Sequence, residues 1–326
     1  MKITSKFTYI AAMLVLCAGS AHGAETFRYG TVAIKGDAGF VYMGTQPGIT
    51  KKYGADIDLQ AFQGDAILLK ALIAGQIDAY IGNPGGPMIA ASKGANIKIV
   101  GCPWPGLTYA LYTKSDVGSV ADLRGKTIGV SAPGALPDLF AKAVVMSAGM
   151  TASDVKFTVS GSDAERVAAV AAGVTAAAPS SSEFTAKAAS LGLKQLVHAR
   201  DIVPKYIRFC IMTRGDLLKS EPGRVEAFLA AQIDGFSKAL NDKKAMTELS
   251  FEKANLPKDD PSPELIYNEV TQYNAVDPTM AVNVENLAWM RDLLVKTGNI
   301  KGDFDPATMV DTAVLTKARA LASSKQ

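Results

Sequence analysis

The sequence predicts an α/β protein of two βαβ lobes joined by a two-strand hinge, with extra C-terminal helices. Three observations predict it. Short apolar strand patterns alternate with helical ones through about residue 204, the mark of βαβ units on a largely parallel sheet. One helix–stop–strand pattern occurs twice, 98 residues apart: Asp65-Ala66 and Asp163-Ala164 open it, and Gly75 and Gly173 stop it. Two extended apolar runs, Leu107–Thr113 and Tyr206–Met212, flank the second copy as outward crossing and return. The expected division is residues 24–112 plus 206–326 for the first lobe and 113–205 for the second. Two extended crossings make a hinge in which a few dihedrals absorb lobe closure.

The chain opens on a secretory leader. Lys2 and Lys6 form its positive end, Phe7–Ala18 its apolar stretch, and Ala21-His22-Gly23 its small-residue cleavage site. The apolar run is too short to span a bilayer. Cleavage near Gly23 and a periplasmic location follow as expectations. Without Lys2 and Lys6 the balance is 32 basic to 31 acidic residues, so neither nucleic acid nor a membrane surface is called for. Cys102 and Cys210 remain after the leader. Export permits a disulfide, but spacing alone cannot establish one, and two buried free thiols are the expectation. His198 is then the one histidine, expected as a surface or capping residue. Without ligand spacing or a nucleophile beside it, no metal site, cofactor or catalytic residue is predicted.

Phe27–Ile34 reads as the first strand, and Lys35–Gly39 leaves it for a short helix. Ile57–Phe62 alternates as a second strand. Gly64-Asp65 starts a helix with Asp65 as N-cap and Gly75 as its stop. Ile77–Ile81 is a third strand, Gly82–Pro87 a loop and Ile97–Val100 a fourth strand. Asp122–Lys126 is a turn into the strand Thr127–Ser131. The loop Ala132–Gly134 then opens an Ala-rich helix to about Ala148. Thr175–Ala178 is a strand, with Pro179–Glu183 the loop beyond it. Downstream of the return the chain is helical, and the stripe Val225, Phe228, Leu229, Ile233, Phe236 and Leu240 is core.

Several segments resemble the periplasmic solute-binding proteins of ABC importers. Asp122-Leu123-Arg124-Gly125-Lys126-Thr127-Ile128-Gly129-Val130 is similar to the segment that opens their second lobe. Ala74-Gly75-Gln76-Ile77-Asp78-Ala79 resembles a motif of the same superfamily. Gly48–Ile57 resembles the "G-[LY]-F-x-x-x-G-[LI]-x-V" of the nitrate/sulfonate/taurine branch, which also holds binders of thiamine-pyrimidine precursors. Thr50 stands where that motif has Phe. The resemblance implies a type II two-lobe fold, capture of a small organic anion and delivery to permease subunits. A monomeric binding protein and not an enzyme is the expectation, with an exported enzyme of the pyrimidine-synthase-like superfamily or a transporter-independent ligand sensor as the alternatives.

Ligands of open α/β sheets sit beyond the carboxyl ends of the strands. That rule selects Lys35, Asp37 and Phe40 after the first strand, and Asn83 and Gly85 after the third. From the second lobe it selects Ser131, Gly134, Ala135 and Leu136, and Pro179, Ser180 and Ser181. Trp104 joins them from near the hinge, and with Phe40 and Tyr42 would wall an apolar ligand body. Lys35 either neutralises an acid group or is a solvated strand-end charge. Asp37 either receives a ligand amine or caps the next helix. Gly134→Asp is expected to abolish binding while the fold survives.

Overall fold

In the computed structural model, which describes residues 25–325, the chain forms two five-stranded sheets of one design. The first sheet holds β1 (Phe27–Val32), β2 (Ile57–Phe62), β3 (Ala79–Gly82), β4 (Ile97–Trp104) and β10 (Phe209–Arg214). Its order is β2-β1-β3-β10-β4. The second holds β5 (Tyr109–Lys114), β6 (Thr127–Val130), β7 (Lys156–Val159), β8 (Ala177–Ser181) and β9 (Leu193–His198). Its order is β7-β6-β8-β5-β9. The predicted leader, Cys17 and the cleavage site lie outside the described residues.

In each sheet one strand runs against the rest. β10 is antiparallel to both β3 and β4, and β5 to both β8 and β9. The other pairings are parallel. β10 and β5 are the strands reached by crossing from the other lobe, so the reversed strand in each sheet is the one delivered by the hinge. The repeat read from residues 65 and 163 is thus a repeat of topology. One boundary moves: Tyr109–Lys114 belongs to the second sheet, so the outward crossing is confined to residues 105–108.

Cys102 and Cys210 are joined, which corrects the expectation of two free thiols. They face each other on neighbouring strands β4 and β10, with Cα atoms 3.9 Å apart, close enough for a direct bond. Three further readings shift. Gly64, not Asp65, is the N-cap of the Asp65–Ile73 helix, and it supplies no side-chain cap. Pro179, Ser180 and Ser181 lie inside β8 and not in a loop. β5 runs antiparallel beside them, Leu111 opposite Pro179, Ala110 opposite Ser180 and Tyr109 opposite Ser181. His198 does cap the helix turn Ala199–Ile202, its Nδ1 accepting the Arg200 N–H at 3.3 Å, but it is buried and not on the surface.

The C-terminal helices complete two cores. Pro222–Asn241 buries Val225, Phe228, Leu229 and Phe236 against the first sheet's aromatic cluster, where Phe27 stacks on Phe228 at 4.2 Å. Val284–Lys296 buries Leu287, Met290 and Leu294 in a core that includes Leu139 and Phe140 of the second lobe and Leu68 and Met88 of the first. That helix therefore seals the seam between lobes. Among the described residues no helix is long and apolar enough to cross a membrane.

Candidate functional site

Between the two sheets lies a cavity of about 390 Å³. Val32, Ala33, Lys35, Gln63–Ala66, Arg208 and Phe209 line it from the first lobe, and Tyr109, Ser131, Ala132, Ala135–Pro137, Gly161–Asp163, Glu165 and Arg166 from the second. A smaller chamber of about 180 Å³ adjoins it, bounded by Asn83, Gly86, Ile89 and Pro133–Ala135. Asp65, Ala66, Ala132 and Ala135 line both.

Three helices begin at the cavity wall. Asp163–Ala171 is closed by a capping box in which Ser162 and Glu165 satisfy each other's backbone N–H. The other two are open. Asp65–Ile73 starts from Gly64 and Leu136–Ser147 from Ala135, neither with a side-chain cap. N–H groups that no N-cap side chain takes up, and the positive ends of two helix dipoles, thus enter the cavity from opposite lobes, beside the first-turn carboxylates of Asp65 and of Asp138, which accepts the Gly134 N–H at 2.8 Å. Pro137 lacks an N–H and takes a first-turn position, where none is needed.

The charged groups form a chain across the cleft. Lys35 Nζ donates to Asp163 at 3.1 Å and lies 3.3 Å from Glu183, both on the other lobe. Arg166 grips Asp163, the Pro179 carbonyl at 2.8 Å and the Tyr109 hydroxyl at 2.9 Å. Burial opposes ionisation of Asp163, but the Lys35 ammonium and Arg166 guanidinium outweigh it and hold the carboxyl well below its usual range. Burial pushes Glu183 up to about 8 and Asp65 up to about 6.

The structure divides the predicted site residues into two groups. Lys35, Ser131, Ala135 and Leu136 line the main cavity, and Asn83 and Gly134 the smaller chamber. Lys35 is an inter-lobe ion pair and not a solvated charge. Asn83 spends its amide on the chain: Nδ2 donates to the carbonyls of Ile207 and Arg208, and Oδ1 accepts the Gly85 N–H. The remaining residues do not line the cavity. Asp37 is buried against Arg208 at 2.5 Å, which replaces both roles foreseen for it. Trp104 is fully buried, with Phe40 and Phe209 edge-on and the Arg208 guanidinium 4.2 Å from its ring centre. Phe40 is core too, and Tyr42 is half-buried beneath Lys253. Gly85 packs toward Leu139. Ser180 turns its hydroxyl onto Asp163, and Ser181 is buried.

Sequence reading missed Asp65 and Asp163 as site residues, although it singled out both as helix starts. It also missed Tyr109, Arg166 and Arg208. Arg208 sits in an otherwise apolar return segment, where a lone cation is the signal that was available.

The family model described as NMT1/THI5 like matches residues 36–245, a span that takes in both sheets' crossings and nearly all of the cavity wall. The chain belongs to the NMT1/THI5-like family. Among relatives, the Brucella abortus (strain 2308) protein named "Putative binding protein BAB2_1146" is 27% identical over 289 residues, 86% of this chain and 88% of that one. The alkanesulfonate-binding protein SsuA from Xanthomonas axonopodis pv. citri, solved bound to MOPS, shares the fold with a TM-score of 0.73. It is 18% identical and covers 88% of this chain and 98% of its own. The periplasmic nitrate-binding protein NrtA from Synechocystis PCC 6803 superposes with a TM-score of 0.77, at 15% identity over 93% of this chain and 91% of its own. The desulfurization enzyme DSZB shares the architecture at a TM-score of 0.62 and 15% identity, over 91% of this chain and 99% of its own. Most of these neighbours are binding proteins, and all share the two-lobe α/β fold.

Proposed function

We propose that this protein is an extracytoplasmic solute-binding protein that captures one small organic anion between its lobes and delivers it to an ABC importer. The observation that carries this reading is the pair of uncapped helix N-termini, at Gly64 and Ala135, opening on one cavity from opposite lobes. Each supplies N–H donors and a positive dipole end, so an acid group held between them favours the closed arrangement. The cavity suits a sulfonate, a taurine-like solute or an aromatic carboxylate: Val32, Ala66, Leu136 and Phe209 give the ligand body an apolar wall. The neighbours named for alkanesulfonate and nitrate binding support an anion. Release to a permease follows from opening at residues 105–108 and the return segment. The expected carrier is a monomer in the periplasm.

A thermal-shift screen of sulfonates, carboxylates, nitrate and pyrimidines tests the reading. An anion at about 100 times its Kd is expected to stabilise the native protein by about 2.7 kcal/mol. Stabilisation by neutral pyrimidines and by no anion would overturn it.

A further inference from the structure

The two halves of the cavity carry one aspartate each at the same topological place. Asp65 and Asp163 are the first helical residues of the helices that follow β2 and β7, and both line the cavity. Their surroundings differ. Asp163 accepts from Lys35 at 3.1 Å, from the Tyr109 hydroxyl at 2.6 Å, from the Ser180 hydroxyl at 3.1 Å and from Arg166. Its half of the site is closed on itself. Asp65 receives no side-chain donor among the described residues, and its Oδ1 has neither a hydrogen-bond partner nor solvent contact. The chain leaves little room for a donor behind it, since a Cβ on Gly82 would stand 3.1 Å from that oxygen. Backbone N–H groups of Asn83 and of Asp65 itself favour the charged carboxylate, but an oxygen left out of water and unpaired is costly, and such an atom in a native chain calls for a partner. Asp65 also stands where the two chambers meet, so a solute filling both would pass it.

We propose that Asp65 is a specificity-determining residue that accepts a hydrogen bond from an N–H group of the solute. The solute then carries two functions: an acid group for the helix ends and an amine or ring N–H for Asp65. The acid half rests on the reading given above. The N–H half stands on Asp65 alone.

Matched probes separate the two. Calorimetry compares taurine with ethanesulfonate, β-alanine with propionate and 4-aminobenzoate with benzoate, alongside ethylamine and 4-aminopyrimidine. In at least one pair the amino member is expected to bind the parent protein about tenfold or more tightly, the scale of one charge-assisted hydrogen bond. Asp65→Asn is expected to erase that ratio by weakening the amino member and leaving its partner unchanged or bound more tightly. Equal affinity within every pair overturns the inference and leaves the anion reading intact. Binding of the two amines but of no acid supports Asp65 and overturns the anion reading. A protein that binds none of the amino-bearing probes overturns the inference. The pair comparison in the parent protein decides the matter even if Asp65→Asn fails to fold.

Discussion

Asp65 shows how a residue can be legible as structure and still hide its role. Its position after Gly64 marked a helix start, and a helix does start there. The N-cap role expected for it would have satisfied its carboxylate locally. Placed one residue further on, it is left facing the cleft. Burial pushes its carboxyl up to about 6, Asp163 adds to this, and the Asn83 backbone N–H and Lys35 oppose it. The folded state therefore holds the proton over a pH range in which the unfolded chain has lost it. The cost is absent below about pH 4, grows as pH rises through 6, and is complete above. It amounts to about 3 kcal/mol. Asp65→Asn keeps an acceptor for the Asn83 N–H and removes the charge. Urea unfolding is expected to find the variant more stable than the parent at pH 7.5, by up to about 3 kcal/mol, with the gap closed at pH 4. A variant less stable than the parent at pH 7.5 contradicts this.

At the scale of elements, the alternation of strand and helix and the 98-residue repeat were visible because apolar periodicity and glycine stops are local signals. What was not visible came from partners distant in sequence. Trp104 and Phe40 read as cleft aromatics, but Phe40 packs edge-on to Trp104 and stacks on Tyr267 of the helix Ser262–Gln272, and no local pattern at residue 104 announces a helix beginning at residue 262. Pro179 and Ser180 read as loop because proline and serine are common breakers; they are strand because Leu111 and Ala110 of β5, far back in the chain, pair with them. Helix packing gives the clearest element-scale prediction. The Pro222–Asn241 helix crosses the turn at Met43–Thr45 so closely that a Cβ on Gly235 would lie 2.2 Å from the Gly44 backbone nitrogen. Alanine ordinarily helps a helix interior by up to about 1 kcal/mol over glycine. Here backbone must move, and overpacking of this kind costs about 1–3 kcal/mol. Gly235→Ala is expected to lower stability in urea unfolding, and an unchanged or raised midpoint refutes the close crossing.

For the whole molecule, two devices bear on the lobes: a bond inside the first sheet, between β4 and β10, that fastens the ends of the second lobe's excursion, and a bridge across the cleft. The Cys102–Cys210 bond, 108 residues apart, closes a loop that contains every strand of the second sheet. Constraining so long a loop in the unfolded chain is worth about 4–5 kcal/mol on the chain-entropy account. Replacing both cysteines by alanine is expected to cost about 4 kcal/mol in urea unfolding, and a loss under about 1 kcal/mol contradicts the bracing role. The second, on the function proposed above, is the solute, bridging helix ends from opposite lobes. Gly134→Asp is a poor probe of that bridge. Gly134 has φ +77°, and a Cβ there would stand 2.9 Å from Ile89, so the fold would suffer. Ala135 is the better position. Its extended backbone, φ −77° and ψ 165°, suits an N-cap aspartate. Such a carboxylate would occupy the helix N–H groups and repel an acid group from the cavity. The most direct measurement is calorimetric titration of the parent and Ala135→Asp with the anion that ranks first in the thermal-shift screen. One bound anion per parent chain, and at least about a hundredfold weaker binding to a variant whose melting temperature is unchanged or raised, is the expected result. Equal dissociation constants for the two proteins would contradict an anion held between the lobes.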